Sequence, residues 1–176
     1  MRYAAFLRAV NVGRNHRVTS AELCEIFEGI GAEEVGTFRT SGNVVFEASR
    51  DIAAELEKAL ESALGYDVGV YTRTARELAE IAEAQPFKPA QVEASKGKLQ
   101  VTMLSANPSA AKRKQVLALA TDDDPLSFGK RELFWLPSGG TLESTLDRKA
   151  IDKLLGPTTM RTKGTVEQLT AKFFAE

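Results

Sequence analysis

The chain has 176 residues, 43% of them hydrophobic and 27% charged, with a formal net charge of -1. That make-up belongs to a soluble globular protein long enough for one large domain or two small ones. It excludes the basic field of a general nucleic-acid binder, so any surface of that kind must be local.

No apolar run is long enough to span a bilayer, and the single cysteine, Cys24, excludes an intrachain disulfide framework. A cytoplasmic protein without membrane partners is expected. The first residues, Met1 to Arg8, carry no cleavage-type region, so Tyr3 to Ala9 reads as a first strand. Thr19-Ser20-Ala21-Glu22 has the pattern of a capping box, in which Thr19 accepts from a backbone N–H and Glu22 reaches back. Leu23, Ile26, Phe27 and Ile30 then follow at helical spacing, with Gly31 closing the helix. Val35 to Thr40 and Val44 to Glu47 are β-rich runs joined through Ser41-Gly42-Asn43, a hairpin signal. A second helix from about Ile52 to Leu64 is expected to bury Leu56, Leu60 and Ala63 and to stop at Gly65. Val68, Val70 and Thr72 alternate as a strand.

This order, β-α-β-β-α-β, is that of a ferredoxin-like unit. A second capping box, Thr74 to Glu77, opens a linking helix with Leu78, Ile81 and Ala82. Residues 85–98 hold Pro86, Pro89 and Gly97 and read as a linker. The order then recurs. Leu99, Val101 and Met103 form a strand, and Asn107-Pro108 starts a helix to about Ala120. Leu126 to Phe128 and Leu133 to Leu136 form a hairpin turning near Gly129-Lys130. A helix from Thr145 to Leu155, capped by Ser144, precedes a short strand over Thr158 to Arg161. A final helix presents Val166, Leu169 and Phe173 inward. The expected fold is α+β: two tandem ferredoxin-like (βαββαβ) units over 1–84 and 99–176, with an additional linking helix and a C-terminal helix. The halves share their order of elements and little residue-level similarity.

In a β-α-β-β-α-β unit the loop after the first strand and the turn between the second and third strands lie at one edge. The first strand pairs antiparallel with the third. Arg8, Asn11, Gly13, Arg14, Arg39, Ser41, Gly42 and Asn43 are therefore expected in one neighbourhood. Residues 1–21 contain Arg2, Arg8, Arg14 and Arg17 and no acid, which suits an anion. Glycines let backbone N–H groups approach a ligand, arginine forks match phosphate or carboxylate oxygens, and a helix N-terminus adds its dipole.

Those same residues carry a family resemblance. Phe6-Leu7-Arg8-Ala9-Val10-Asn11-Val12-Gly13 resembles the LLRGINVG opening of the bacterial family called domain of unknown function 1697 (DUF1697). Thr40-Ser41-Gly42-Asn43-Val44-Val45-Phe46 resembles its SGNVVF hairpin, and Thr159 to Val166 is similar to its TxRNxNTV segment. The resemblance covers nearly the whole chain and implies two ferredoxin-like halves, with no activity attached. It adds Arg161 and Thr165 as candidate ligand-binding positions. Ala9 replaces a family glycine, and Thr162 and Gly164 replace asparagines, so no side-chain amide is available in that last segment.

Other chemistry is sparse. His16, the only histidine, has no acid near it in sequence and reads as a solvated loop residue. Cys24 reads as a small buried apolar residue. No set of histidines and cysteines makes a zinc site, and Asp122-Asp123-Asp124 reads as a solvated run beside Pro125, so no metal is expected. GxxxxGK[ST] and GxGxxG loops are absent, and no cofactor is expected. Lys112-Arg113-Lys114 reads as a solvent-facing triplet. Trp135 beside Phe134 is either a base-stacking platform or a pair buried by helices. The functional expectation is an anionic ligand, a phosphorylated metabolite or single-stranded nucleic acid, held at the Arg8–Arg17 loop and the Ser41–Asn43 hairpin. The alternatives are an enzyme on a small molecule at the same site, with no recognisable nucleophile–base pair, and a structural protein acting through partners.

Overall fold

The structure is a computed structural model that describes residues 1–12, 17–39 and 42–175. It divides into two compact units, Met1–Ala79 with Leu169–Glu176 and Glu80–Gln168. The fold is mixed α and β, with two four-stranded antiparallel sheets and seven helices among the described residues.

In the first unit β1 (Arg2–Arg8), β2 (Glu33–Thr37), β3 (Asn43–Glu47) and β4 (Gly69–Thr74) lie in the order β2-β3-β1-β4. Tyr3, Ala5 and Leu7 alternate onto one face of β1 and join Val44, Phe46, Val68 and Val70. That face packs against Leu23 and Phe27 of α1 (Ser20–Gly29) and Leu56 and Leu60 of α2 (Ala53–Leu64). Phe46 sits at its centre, stacked on Tyr3 with ring centroids 5.5 Å apart and edge-on to Phe27 at 5.5 Å. The capping box at Thr19 and Glu22 forms as the spacing predicts, with bonds of 3.1 and 2.9 Å. Two apolar assignments change. Ile30 lies beyond the last turn of α1 and is exposed, and Ala63 faces solvent, because Leu64 takes the packing position beside it.

The second unit repeats the order. β5 (Gln100–Met103), β6 (Leu126–Phe128), β7 (Glu132–Trp135) and β8 (Thr159–Thr162) lie as β6-β7-β5-β8. Val116 of α5 (Ala110–Leu117) and Ile151 of α6 (Arg148–Leu155) pack on Leu133, Trp135 and Leu146. Both helices start later than their sequence signals suggest. Ser109, not Asn107, caps α5 by accepting from Lys112 N–H at 3.2 Å. Asp147, not Ser144, caps α6 by accepting from Ala150 N–H at 3.1 Å. Ser144 instead donates to Asp124 at 2.8 Å, and the Trp135 indole donates to the same carboxylate oxygen at 2.9 Å. Asp124 is thus a buried member of a hydrogen-bonded network, and both Trp135 and Phe134 are 3% exposed, which removes the stacking platform. The stretch read as linker contains a short helix, α4 (Pro89–Ala94).

A residue-level repeat does exist where each sheet's last strand runs directly into a helix. β4 enters α3 (Ala75–Glu83) through Arg73-Thr74, and β8 enters α7 (Lys163–Phe173) through Arg161-Thr162. Thr74 Oγ1 accepts from Glu77 N–H at 3.3 Å, and Thr162 Oγ1 accepts from Thr165 N–H at 3.2 Å. In both, the preceding arginine donates Nη1 to the carbonyl of the residue before it at 2.8 Å, Thr72 for Arg73 and Met160 for Arg161. Arg73 is fully buried, and burial pulls the Arg161 guanidinium down to about 10. Two matching residues around a strand-to-helix junction are too few to register as a repeat in the sequence.

Candidate functional site

β1 and β3 pair antiparallel with Phe6 opposite Asn43, and Leu7 N–H donates to the Gly42 carbonyl at 2.8 Å. The end of β1 therefore runs beside the hairpin, as the topology argument expects. Arg8 is the last residue of β1, on the face opposite the α1–α2 core, where its register partner on β4 is Gly69. That glycine makes room for it: a Cβ at Gly69 would come within 3.0 Å of Arg8 Nε. The guanidinium reaches the Tyr71 hydroxyl, and Nε is buried without a hydrogen-bond partner, so the terminal nitrogens alone do the reaching. Burial pushes the Tyr71 phenol up from its ordinary value, and the Arg8 bond and charge oppose that shift. Neither Gly69 nor Tyr71 stands out in sequence. The signal that could find them is the register of β1 against β4, which sets a glycine opposite an arginine.

The loop after β1 is bent by two non-glycine residues in the left-handed region, Ala9 at φ 73° and Asn11 at φ 56°. L-residues other than asparagine and aspartate reach that region at a cost. Ala9 stands where the resembled family has glycine, which explains the family's choice: the backbone there is left-handed. Asn11 clasps the loop shut, its Nδ2 donating to Val18 O at 3.0 Å and its Oδ1 accepting from Val18 N–H at 2.7 Å. The Tyr66 hydroxyl also bonds to the Asn11 backbone. Gly13, Arg14 and His16 lie outside the described residues, as does Ser41.

On the hairpin side Gly42 takes φ 75°, and Asn43 is buried, donating Nδ2 to Phe38 O at 3.1 Å. Phe38 N–H in turn donates to Asn43 O at 2.9 Å, so Asn43 clips the hairpin from both its backbone and its amide. Arg39 is exposed at φ 59°, with its guanidinium carbon 5.5 Å from the Phe38 ring centroid. Arg8, Asn11, Arg39, Gly42 and Asn43 thus belong to the first unit, while Arg161 and Thr165 belong to the second. Arg161 Nη1 donates to Thr159 Oγ1 at 2.8 Å, and the Thr165 hydroxyl bonds to Thr162 Oγ1 at 2.8 Å within the α7 cap.

Other candidate chemistry resolves into structure. Cys24 is half-buried on α1, and burial first and Glu28 second push its thiol up, away from nucleophilic use. Arg113 departs from the solvent-facing triplet. Its guanidinium donates to Pro108 O at 3.2 Å, Gly129 O at 2.8 Å, Lys130 O at 2.7 Å and the Asn107 amide oxygen, and lies 4.8 Å from the Phe128 centroid. Among the described residues no group of histidine, cysteine, aspartate and glutamate is placed to hold a metal ion. No described helix is long and apolar enough to cross a membrane.

An α+β protein with two like-ordered sheets and a signature at one sheet edge is the class that the fold and motifs define. The chain belongs to the family described as protein of unknown function (DUF1697), whose profile matches residues 1–134. It is similar in structure to a conserved bacterial protein from Streptococcus pneumoniae, with a TM-score of 0.69, 23% identity and 97% of each chain covered. That likeness speaks to the fold alone. No curated protein matches the chain.

Proposed function

We propose that this protein binds an anionic ligand, a phosphorylated metabolite or single-stranded nucleic acid, at the edge formed by the Arg8–Arg17 loop and the Ser41–Asn43 hairpin. Arg8, Arg14 and Arg39 supply positive charge. Gly13, Ser41 and Gly42 supply close backbone approach, and Asn11 and Asn43 hold the two loops in shape. Arg161 and Thr165, which belong to the second unit, enter the reading only through the resemblance of their segment to the family's third motif. The observation that carries it is the bond from Leu7 N–H to Gly42 O, which lays an acid-free, arginine-bearing segment alongside a glycine-containing hairpin. We also read 1–84 and 99–176 as two ferredoxin-like units, on the strength of the strand order that both sheets share.

The test is calorimetric titration of the protein with inorganic pyrophosphate. The double variant Arg8→Ala, Arg14→Ala is expected to lose binding at least roughly tenfold, the effect of two charge-assisted contacts, while staying folded with a melting temperature lowered by the lost Tyr71 bond. Equal affinity in the double variant would remove the reading.

A further inference from the structure

The hairpin that borders this edge carries a second feature that the sequence motifs do not mark. Phe38, just after β2, meets Phe173 near the end of α7 edge-on, with centroids 6.0 Å apart and planes at 85°. Both rings are half-buried. Two exposed cations lie over them: Arg39 at 5.5 Å from the Phe38 centroid, and Lys172 at 5.9 Å from Phe38 and 5.2 Å from Phe173. Arg2 anchors the helix end, donating Nη1 to Phe173 O at 2.9 Å. All of these residues belong to the first unit. The two segments that build the patch, 36–46 and 168–175, contain no aspartate or glutamate.

We infer that this aromatic and cationic patch selects single-stranded nucleic acid as the ligand of the edge described above, an inference that rests on the proposed anion site. A small phosphorylated metabolite needs charge and an enclosing cleft. It has no use for rings lying outside the phosphate-binding loop. A single strand uses both features, because its phosphates track along exposed cations while unstacked bases lie on aromatic faces. Charge complementarity is local, as the near-neutral chain requires. Arg39 follows the Phe38 that Asn43 clips, and Leu7, beside Arg8, bonds the neighbouring Gly42, so patch and edge share one hairpin.

The experiment is fluorescence anisotropy of a labelled oligodeoxythymidylate with the full chain, alongside calorimetry with pyrophosphate. Three variants are compared: Arg39→Ala with Lys172→Ala, Phe38→Leu, and Arg8→Ala with Arg14→Ala. Phe38→Leu keeps an apolar contact for Phe173 and removes the stacking ring; melting temperatures check that each variant folds. The expected result is oligonucleotide binding that weakens with salt, falls at least roughly tenfold in the Arg39–Lys172 variant, and falls several-fold in Phe38→Leu. Pyrophosphate binding stays the same in Phe38→Leu, weakens in the Arg39–Lys172 variant through Arg39, and drops most in the Arg8–Arg14 variant. Linear polyphosphate competing as well as oligonucleotide, or duplex binding as well as single strand, overturns the inference. So does oligonucleotide binding indifferent to Phe38. Pyrophosphate binding without oligonucleotide binding overturns the inference and leaves the anion site standing. Binding of neither overturns both.

Discussion

The two sheets end in the same way and finish that edge differently. In each, a backbone N–H at the end of the strand that leads into the first helix, or just past it, donates to the turn between the next two strands: Leu7 to Gly42 O at 2.8 Å, and Leu104 to Arg131 O at 2.9 Å. In the second unit the fourth residue of α5, Arg113, then spans both loops and satisfies carbonyls on each. In the first unit the fourth residue of α1 is Leu23, buried in the core. There each loop is held by its own asparagine, Asn11 to Val18 and Asn43 to Phe38. One topology thus gives an edge strutted by an internal cation and an edge whose loops are shaped separately. The contrast shows that the second unit's edge is braced by a side chain shared between its loops, while the first unit's loops are each closed by their own asparagine.

The largest effect that would sharpen this comparison is expected from Arg113→Ala. It removes several carbonyl-directed bonds from a charged donor and should lower unfolding stability by about 2–4 kcal/mol, read by urea denaturation. An unchanged midpoint would mean that the strut holds nothing. Asn11→Ala should cost about 1–3 kcal/mol, combining two lost bonds with a left-handed backbone that alanine resists. Asn11→Gly, which accepts that backbone, should recover part of the loss; equal losses in both would assign the whole effect to hydrogen bonding. Ala9→Gly is expected to go the other way and stabilise by roughly 0.5–1 kcal/mol, since φ 73° suits glycine. A destabilised Ala9→Gly would contradict the backbone argument for the family's glycine.

The smallest effect concerns acidity. Hydrogen bonding with Asp67, and then repulsion from it, raise the Glu61 carboxyl above its ordinary value. A folded-state pKa above the unfolded one means that the folded form takes up this proton more readily. Its stabilising contribution is present in acid and is lost as pH rises through the folded value. Glu61→Gln should therefore raise the melting temperature slightly at neutral pH, with the gain shrinking as the pH falls below the carboxylate range. A gain that grows in acid would reverse the assignment.

Much of the fold was legible because its signals are local. The Thr19–Glu22 box, the helical spacing of Leu23 and Phe27, and the alternation of Tyr3, Ala5 and Leu7 are all satisfied within a turn or a strand. Helix starts at Ser109 and Asp147 were not, since several capping residues stand in a row and tertiary partners choose among them. Asn107 accepts from Arg113 and Ser144 donates to Asp124, which takes each out of the cap. Arg113 itself looked like one of three solvated basic residues. The approach of the Gly129–Lys130 turn gives its guanidinium two carbonyls that the local sequence does not announce. At the candidate site, strand pairing made the proximity of Arg8 and Asn43 legible, whereas Gly69 and Tyr71 come from the other neighbour of β1. The patch on Phe38 depends on Phe173, far away in sequence, and no local pattern joins them.

The most direct test of the central claim is a backbone amide NMR titration of the protein with inorganic pyrophosphate. The account predicts shift changes concentrated at Arg8 to Val18 and Phe38 to Asn43, with the equivalent edge at Asn107, Ser109, Gly129 and Lys130 left unmoved. Shifts centred on that second-unit edge, or none at either, would contradict it.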